Sequence, residues 1–163
     1  MGKDFDFWQE HSMQYLEMAF RTDRRERVVN PDGYGKRTGA CGDSVEIFLT
    51  VKDARIQAVS YEINGCMNTN ACANTIADLA VKKTLEEAWE ITPEKVLEYL
   101  GTLPAAEIHC AEVAAGALYL ALTNYQEHSA THDPANAAGN HEARPAGITN
   151  HRIGDGNPQC SNG

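Results

Sequence analysis

The chain has 163 residues, 23 acidic against 14 basic side chains, a formal net charge of -9 and 7% aromatics. That length fits one domain with at most an appendage, and 42% hydrophobic residues suffice for a core, which excludes global disorder. The acidic balance makes a poor phosphate binder and argues against nucleic acid. No run approaches about 18 apolar residues, so no membrane span is expected.

The start, MGKDFDFWQE, lacks the basic-then-apolar order of a secretory signal, and Asp6 breaks the myristoylation pattern. A cytoplasmic location is therefore expected. Residues 4–22 read as an amphipathic helix with Phe5, Trp8, Tyr15, Leu16, Ala19 and Phe20 near one stripe. Arg21, Arg24, Arg25 and Arg27 cluster at its end, where cations complement the helix dipole and read as a solvated terminus, with a docking patch for an acidic partner as the alternative.

Asn30-Pro31-Asp32-Gly33 is turn chemistry, and Gly33, Gly35 and Gly39 make the next stretch loop-like, with a third strand before Cys41 as an option. From Ser44 to Val51, Val45, Ile47, Leu49 and Val51 alternate with Glu46, Phe48 and Thr50, the pattern of a strand with one apolar face. Lys52-Asp53-Ala54 reads as a hairpin connection, and Arg55 to Ile63 resumes a strand that Asn64-Gly65 ends.

A helix follows from Asn68, with Cys72, Ile76, Leu79 and Ala80 on one side. Thr84 and Glu87 form a capping-box signature for a short helix through Trp89. Thr92-Pro93 starts another, which Gly101 stops. A last helix, rich in small residues, runs from about Cys110 to Tyr125. The expected fold class is α+β: a small antiparallel sheet of about three strands packed against helices. Residues 1–128 form the domain, and 129–163, without Leu, Val, Phe, Tyr, Trp or Met, are expected to be a disordered tail.

The five cysteines are Cys41, Cys66, Cys72, Cys110 and Cys160. Their odd number, the lack of a signal peptide and the absence of C-x-x-C argue against a disulfide framework and a thioredoxin motif. Cys41, Cys66 and Cys110 all lie at element ends. Antiparallel pairing sets the start of the first strand beside the end of the second, so Cys41 and Cys66 share one end of the sheet. Cys110, at a helix N-terminus, is expected to be a ready thiolate. Asp43 and His109 flank this site. Three thiolates with a carboxylate or imidazole suit an iron–sulfur cluster or Zn²⁺. The alternative, three buried cysteines acting as small hydrophobes, accounts better for one cysteine than for three at element ends. Cys72 lies about 240° around an ideal helix from Cys66 and reads as a core residue, with a spare thiol as the alternative.

ACGD at 40–43, a hairpin ending NGC at 64–66, and LPAAEIHCA at 103–111 resemble the IscU/NifU-type iron–sulfur cluster assembly scaffolds, across most of residues 5–127. The 24 residues between Cys41 and Cys66 and the 43 between Cys66 and Cys110 fit this resemblance, and the short second gap looks like the IscU branch rather than the zinc-bearing SufU-like branch, which carries an insertion there. The resemblance implies an IscU-like fold and a protein that is not an enzyme in the ordinary sense. It implies receipt of sulfur from a cysteine desulfurase, receipt of iron, assembly of a [2Fe–2S] cluster, and delivery to apo-proteins by a monomer or dimer. It makes Cys41, Cys66 and Cys110 thiolate ligands, Asp43 an exchangeable oxygen ligand and His109 an alternative fourth ligand, with Zn²⁺ held when no cluster is present. The alternative within this resemblance is a zinc-binding persulfide acceptor of the SufU-like kind.

Two segments depart from the family pattern. Met67-Asn68-Thr69-Asn70-Ala71-Cys72-Ala73-Asn74 replaces the small-residue run Gly-Ser-Ala-Ile-Ala-Ser-Ser. Leu103-Pro104-Ala105-Ala106-Glu107 replaces Leu-Pro-Pro-Val-Lys, which weighs against binding of an Hsp70-type chaperone.

Overall fold

The computed structural model describes residues 11–131. Helix α1 (Met13–Phe20) leads into a three-stranded antiparallel sheet, β1 (Gly33–Thr38), β2 (Ser44–Lys52) and β3 (Arg55–Asn64), in the order β1-β2-β3. Helices α2 (Met67–Ala80), α3 (Leu85–Trp89) and α4 (Pro93–Leu100) follow, then a 3₁₀ turn (Ala105–Glu107) that opens α5 (Ile108–Thr131). This is the expected α+β class. The helix expected over 4–22 begins only after its Ser12 cap and ends at Phe20, so residues 11–12 and 21–22 are not helical. The part expected before 11, Phe5 and Trp8 among it, lies outside the described residues, as does the tail expected from 129 in its stretch from 132 onward.

The β2–β3 hairpin forms where alternation placed it. Lys52 faces Arg55 across a two-residue loop in which Asp53 and Ala54 both have positive φ, the geometry that matches strand twist. At the other end Ser44 faces Asn64, so the residues just before β2 and just after β3 lie side by side. Val45, Ile47 and Leu49 are fully buried on one face. Phe48, on the other, is also buried, beneath Tyr34 and the Arg27 guanidinium.

The stretch around Gly33 and Gly35, loop-like in composition but offered as a third strand, is strand β1. A Cβ on Gly35 would stand 2.4 Å from Ala117 O and Ala121 N, and one on Gly33 would stand 2.6 Å from Ala121 O. The glycines there let α5 lie against the sheet backbone rather than make a flexible turn. The small residues of α5 serve the same approach, and Ala111, Ala114, Ala117, Leu118, Ala121 and Leu122 are all fully buried. By length and composition Ala105–Thr131 is the one described segment apolar enough to cross a membrane, although Glu112 and Asn124 interrupt its apolar residues. Among the described residues its apolarity is that of a core helix. α5 also continues to Thr131, past the Tyr125 expected from the sequence, so residues 129–131, expected to open the tail, are helical, because the helix runs on beyond its buried stretch.

Asn70 and Asn74 on α2 explain part of the departure from the small-residue run. The Asn70 side-chain amide donates to the carbonyls of Met18 (3.2 Å), Ala19 (3.0 Å) and Arg21 (3.1 Å), and its oxygen accepts from the Tyr61 hydroxyl at 2.8 Å. Asn74 donates to Met18 and Arg21 carbonyls at 2.9 and 2.6 Å. The last carbonyls of a short helix have no intrahelical donors, so these amides both satisfy them and dock α1 on α2. Tyr15, Leu16 and Ala19 bury the expected stripe, together with Met18. Phe20 departs from it and stays 55% exposed.

Candidate metal centre

The cysteine-bearing ends converge as hairpin geometry requires. The turn from β1 to β2 closes with Gly39 N–H on Asp43 O (2.8 Å) and Gly42 N–H on Gly39 O (3.0 Å), with Gly42 at φ 96°. It presents Cys41 to solvent and turns Asp43 inward. Cys66 is the N-cap of α2, directly after β3, and is also exposed. Cys110 stands in the first turn of α5 and is fully buried.

Three overlapping ligand sets result, each with its donor atoms within 4.8 Å of one another: Cys41, Asp43 and His109; Asp43, Cys66 and Cys110; and Glu107, His109 and Cys110. Every site residue singled out from the sequence is in this cluster. Together they combine soft sulfur, borderline imidazole and hard carboxylate donors, a set that fits iron or zinc and not calcium or magnesium.

Two polar residues in the cluster escaped the sequence reading. Thr69, fully buried, donates its hydroxyl to Asp43 Oδ2 at 2.7 Å and lies 3.7 Å from Cys66 Sγ and 3.6 Å from Cys110 Sγ. It therefore joins the carboxylate to two thiols. Gly65 makes room for it, because a Cβ there would stand 2.6 Å from Thr69 Oγ1 and 2.8 Å from Asp43 Oδ2. Glu107 accepts from the Cys110 thiol at 3.6 Å and lies 3.9 Å from His109 Nε2. The signal for both was helical spacing: Thr69 is three residues after Cys66, and Glu107 three before Cys110.

Cys110 is not the ready thiolate its helix-end position promised. Burial pushes its thiol up to about 12, with the neighbouring Cys66 and Glu107 adding to the rise and the Thr69 hydroxyl opposing it. The backbone donors at this terminus are also engaged by the preceding turn, where Glu107 N–H bonds to Pro104 O and Ile108 N–H to Ala105 O. Burial therefore outweighs the helix-end position. Cys72 is fully buried in the core, and its thiol lies well above its ordinary value, raised first by burial and then by Cys110 and Cys66. Tyr15, whose hydroxyl donates to Asn68 Oδ1, is raised by burial and by the same thiols, which marks it as a border of the cluster.

Residues 26–132 match the family model described as the NifU-like N terminal domain. Two Archaeoglobus fulgidus proteins named iron–sulfur cluster assembly scaffold protein IscU are each 37% identical over 100 residues, covering 61% of this chain and 65% of theirs. The nitrogen fixation protein NifU of Trichormus azollae is 31% identical over 97 residues, covering 58% of this chain and 32% of that protein. The chain thus spans less than two thirds of the length of these relatives. Among solved structures, the N-terminal part of a NifU-like protein from Brucella abortus superposes with a TM-score of 0.60 at 15% identity, covering 71% of this chain and 94% of that one. A SufU-type scaffold from Fervidobacterium islandicum gives 0.58 at 16% identity, covering 70% and 97%. Fold and family match agree with the converging cysteines: the chain belongs to the NifU-like N-terminal domain family.

Proposed function

We propose that the protein is a scaffold on which an iron–sulfur cluster is assembled and from which it is handed to apo-proteins. The observation that carries this reading is the convergence of Cys41, Cys66 and Cys110 on one carboxylate, Asp43, at a surface-open end of the sheet. The cluster is cargo, so its holder must release it. Three thiolates completed by an oxygen from Asp43, or by the His109 imidazole, bind iron less firmly than four thiolates do, and a ligand that exchanges gives an acceptor thiol a place to attack. The exposed Cys41 and Cys66 are the thiols an incoming sulfur donor meets first, and Cys110 anchors the inner side.

Beside Cys66 a hollow of about 250 Å³ is lined by Phe20, Arg25, Ile63 and Met67. Its apolar rim supports docking of a sulfur donor, in this reading a cysteine desulfurase, next to that thiol. The cargo is a [2Fe–2S] cluster, the same donors hold Zn²⁺ when no cluster is present, and the setting is cytoplasmic. The role is carriage rather than turnover. A persulfide acceptor that uses Cys110 as its nucleophile is the weaker reading, since that thiol is buried and held protonated.

The test is anaerobic reconstitution of the full chain with ferrous iron, L-cysteine and a desulfurase. The expected result is thiolate-to-iron charge-transfer absorption that the Cys41→Ser/Cys66→Ser/Cys110→Ser variant does not develop. Absorption that is absent from the wild type, or unchanged in the variant, contradicts the proposal.

A further inference from the structure

Glu107, His109 and Cys110 form a ligand set of their own, built by the junction of the 3₁₀ turn and α5. Cys110 Sγ lies 3.6 Å from Glu107 Oε2 and 3.7 Å from His109 Nε2, and the nitrogen and oxygen are 3.9 Å apart. A tetrahedral ion with ordinary sulfur, nitrogen and oxygen bond lengths needs separations of roughly 3.6 Å from sulfur to each light atom and roughly 3.4 Å between the light atoms. Two of the three edges are already met, and the third closes with a small side-chain adjustment.

The Glu107 carboxylate is free for this. It lies 3.9 Å from His109 Nε2 and pairs with no lysine or arginine among the described residues. Glu107 and His109 are about one third exposed, which leaves the outer side of the set open to water. The position is also where this chain departs in charge from the Leu-Pro-Pro-Val-Lys pattern, with an anion in place of a cation.

We propose that Glu107, His109 and Cys110 hold a single divalent transition-metal ion of borderline hardness, with water completing the shell, in a loading site that adjoins the pocket of Asp43, Cys66 and Cys110, sharing the Cys110 sulfur with it and, through His109, bordering Cys41 and Asp43. Oxygen, nitrogen and one thiolate suit Fe²⁺, Co²⁺ and Zn²⁺ alike. The ion passes inward by ligand exchange. Cys110 gives up its thiol proton to water as the ion first binds, and that bond persists; the bonds to Glu107 oxygen and His109 nitrogen then break, and bonds to Asp43 oxygen and to Cys66 sulfur form, the Cys66 thiol releasing its proton to water, with no change of oxidation state. Naming the physiological ion as ferrous iron rests on the scaffold reading; the ion site does not.

Co²⁺ is the probe, added anaerobically to the full chain and followed by its thiolate charge-transfer and d–d absorption. The Cys41→Ser/Cys66→Ser variant removes the thiolate pocket and leaves the loading set whole. It is expected to bind one Co²⁺ through one thiolate, and adding Glu107→Gln weakens this at least about tenfold, as expected when one of three protein ligands is lost. Adding Cys110→Ser instead removes the charge-transfer band. No binding in the double variant, equal affinity with Glu107→Gln, or a band that survives Cys110→Ser overturns the proposal. In the chain with all its cysteines Glu107→Gln slows Co²⁺ uptake at least about tenfold. An unchanged rate there overturns the proposal even if the double variant fails to fold. A chain that passes these tests but develops no iron–sulfur chromophore contradicts the scaffold reading alone.

Discussion

The two sides of the metal centre are built oppositely. Cys41 and Cys66 form an exposed rim, one in a glycine turn and the other capping a helix. Cys110 and Thr69 form a fully buried wall, supported by α5 packed onto the glycines of β1. Ligands of one chemical type thus differ in access, and burial raises the thiol of the wall's Cys110. The contrast teaches that a holder of transferable cargo needs both: a wall that fixes geometry, and a rim that a donor or acceptor can reach.

The largest effect expected from this contrast is in alkylation. Only the thiolate reacts, and a thiol raised to about 12 carries roughly a thousandth of the thiolate of an ordinary one at neutral pH. Iodoacetamide followed by peptide mass spectrometry is expected to label Cys41 and Cys66 at least about a hundredfold faster than Cys110 or Cys72. Comparable rates for all four would erase the distinction between rim and wall.

Thr69 ties the two sides together, so its removal comes next. Thr69→Val keeps the shape but strips a hydrogen bond from a carboxylate, which costs about 1–3 kcal/mol of stability by urea denaturation, and Thr69→Ser restores most of it. Gly65→Ala displaces the same hydroxyl, so the Gly65→Ala/Thr69→Val double variant is expected to lose less than the sum of the singles. Full additivity would mean that the glycine serves something else.

The smallest effect lies on the outer face of the sheet, away from both sides. There the Tyr34 hydroxyl donates to Glu46 at 2.7 Å and, with Arg27, holds the Glu46 carboxyl below its ordinary 4.5. A depressed carboxyl stabilises the fold fully above the unfolded value and loses that contribution as pH falls through the folded value. Acid titration of thermal stability is therefore expected to show a shallower loss below about pH 4.5 in Tyr34→Phe than in the wild type. An identical acid limb would show that the bond does not discriminate between the folded and unfolded states.

Much of the architecture was readable because it rests on local signals. Alternation gave β2 and β3, the Thr84/Glu87 box and Thr92-Pro93 gave two helix starts, and the turn between the strands fixed which ends share a side. β1 was legible only as an optional third strand, because its glycines imitate loop composition while serving a long-range approach by α5. The convergence of the cysteines was legible from hairpin geometry and motif order. The acidity of Cys110 was not, because burial is a property of the whole fold and outweighs a terminus dipole read from position. Thr69 and Glu107 were passed over because neither belongs to a ligand motif, and only the distances show what they touch.

The most direct test of the shared pocket is iron-edge X-ray absorption on the anaerobically reconstituted full chain. Sulfur neighbours accompanied by an oxygen or nitrogen neighbour are predicted, with that light-atom component reduced in Asp43→Ala/His109→Ala and the signal lost in Cys110→Ser. An all-sulfur shell, or a spectrum indifferent to those substitutions, would contradict the account.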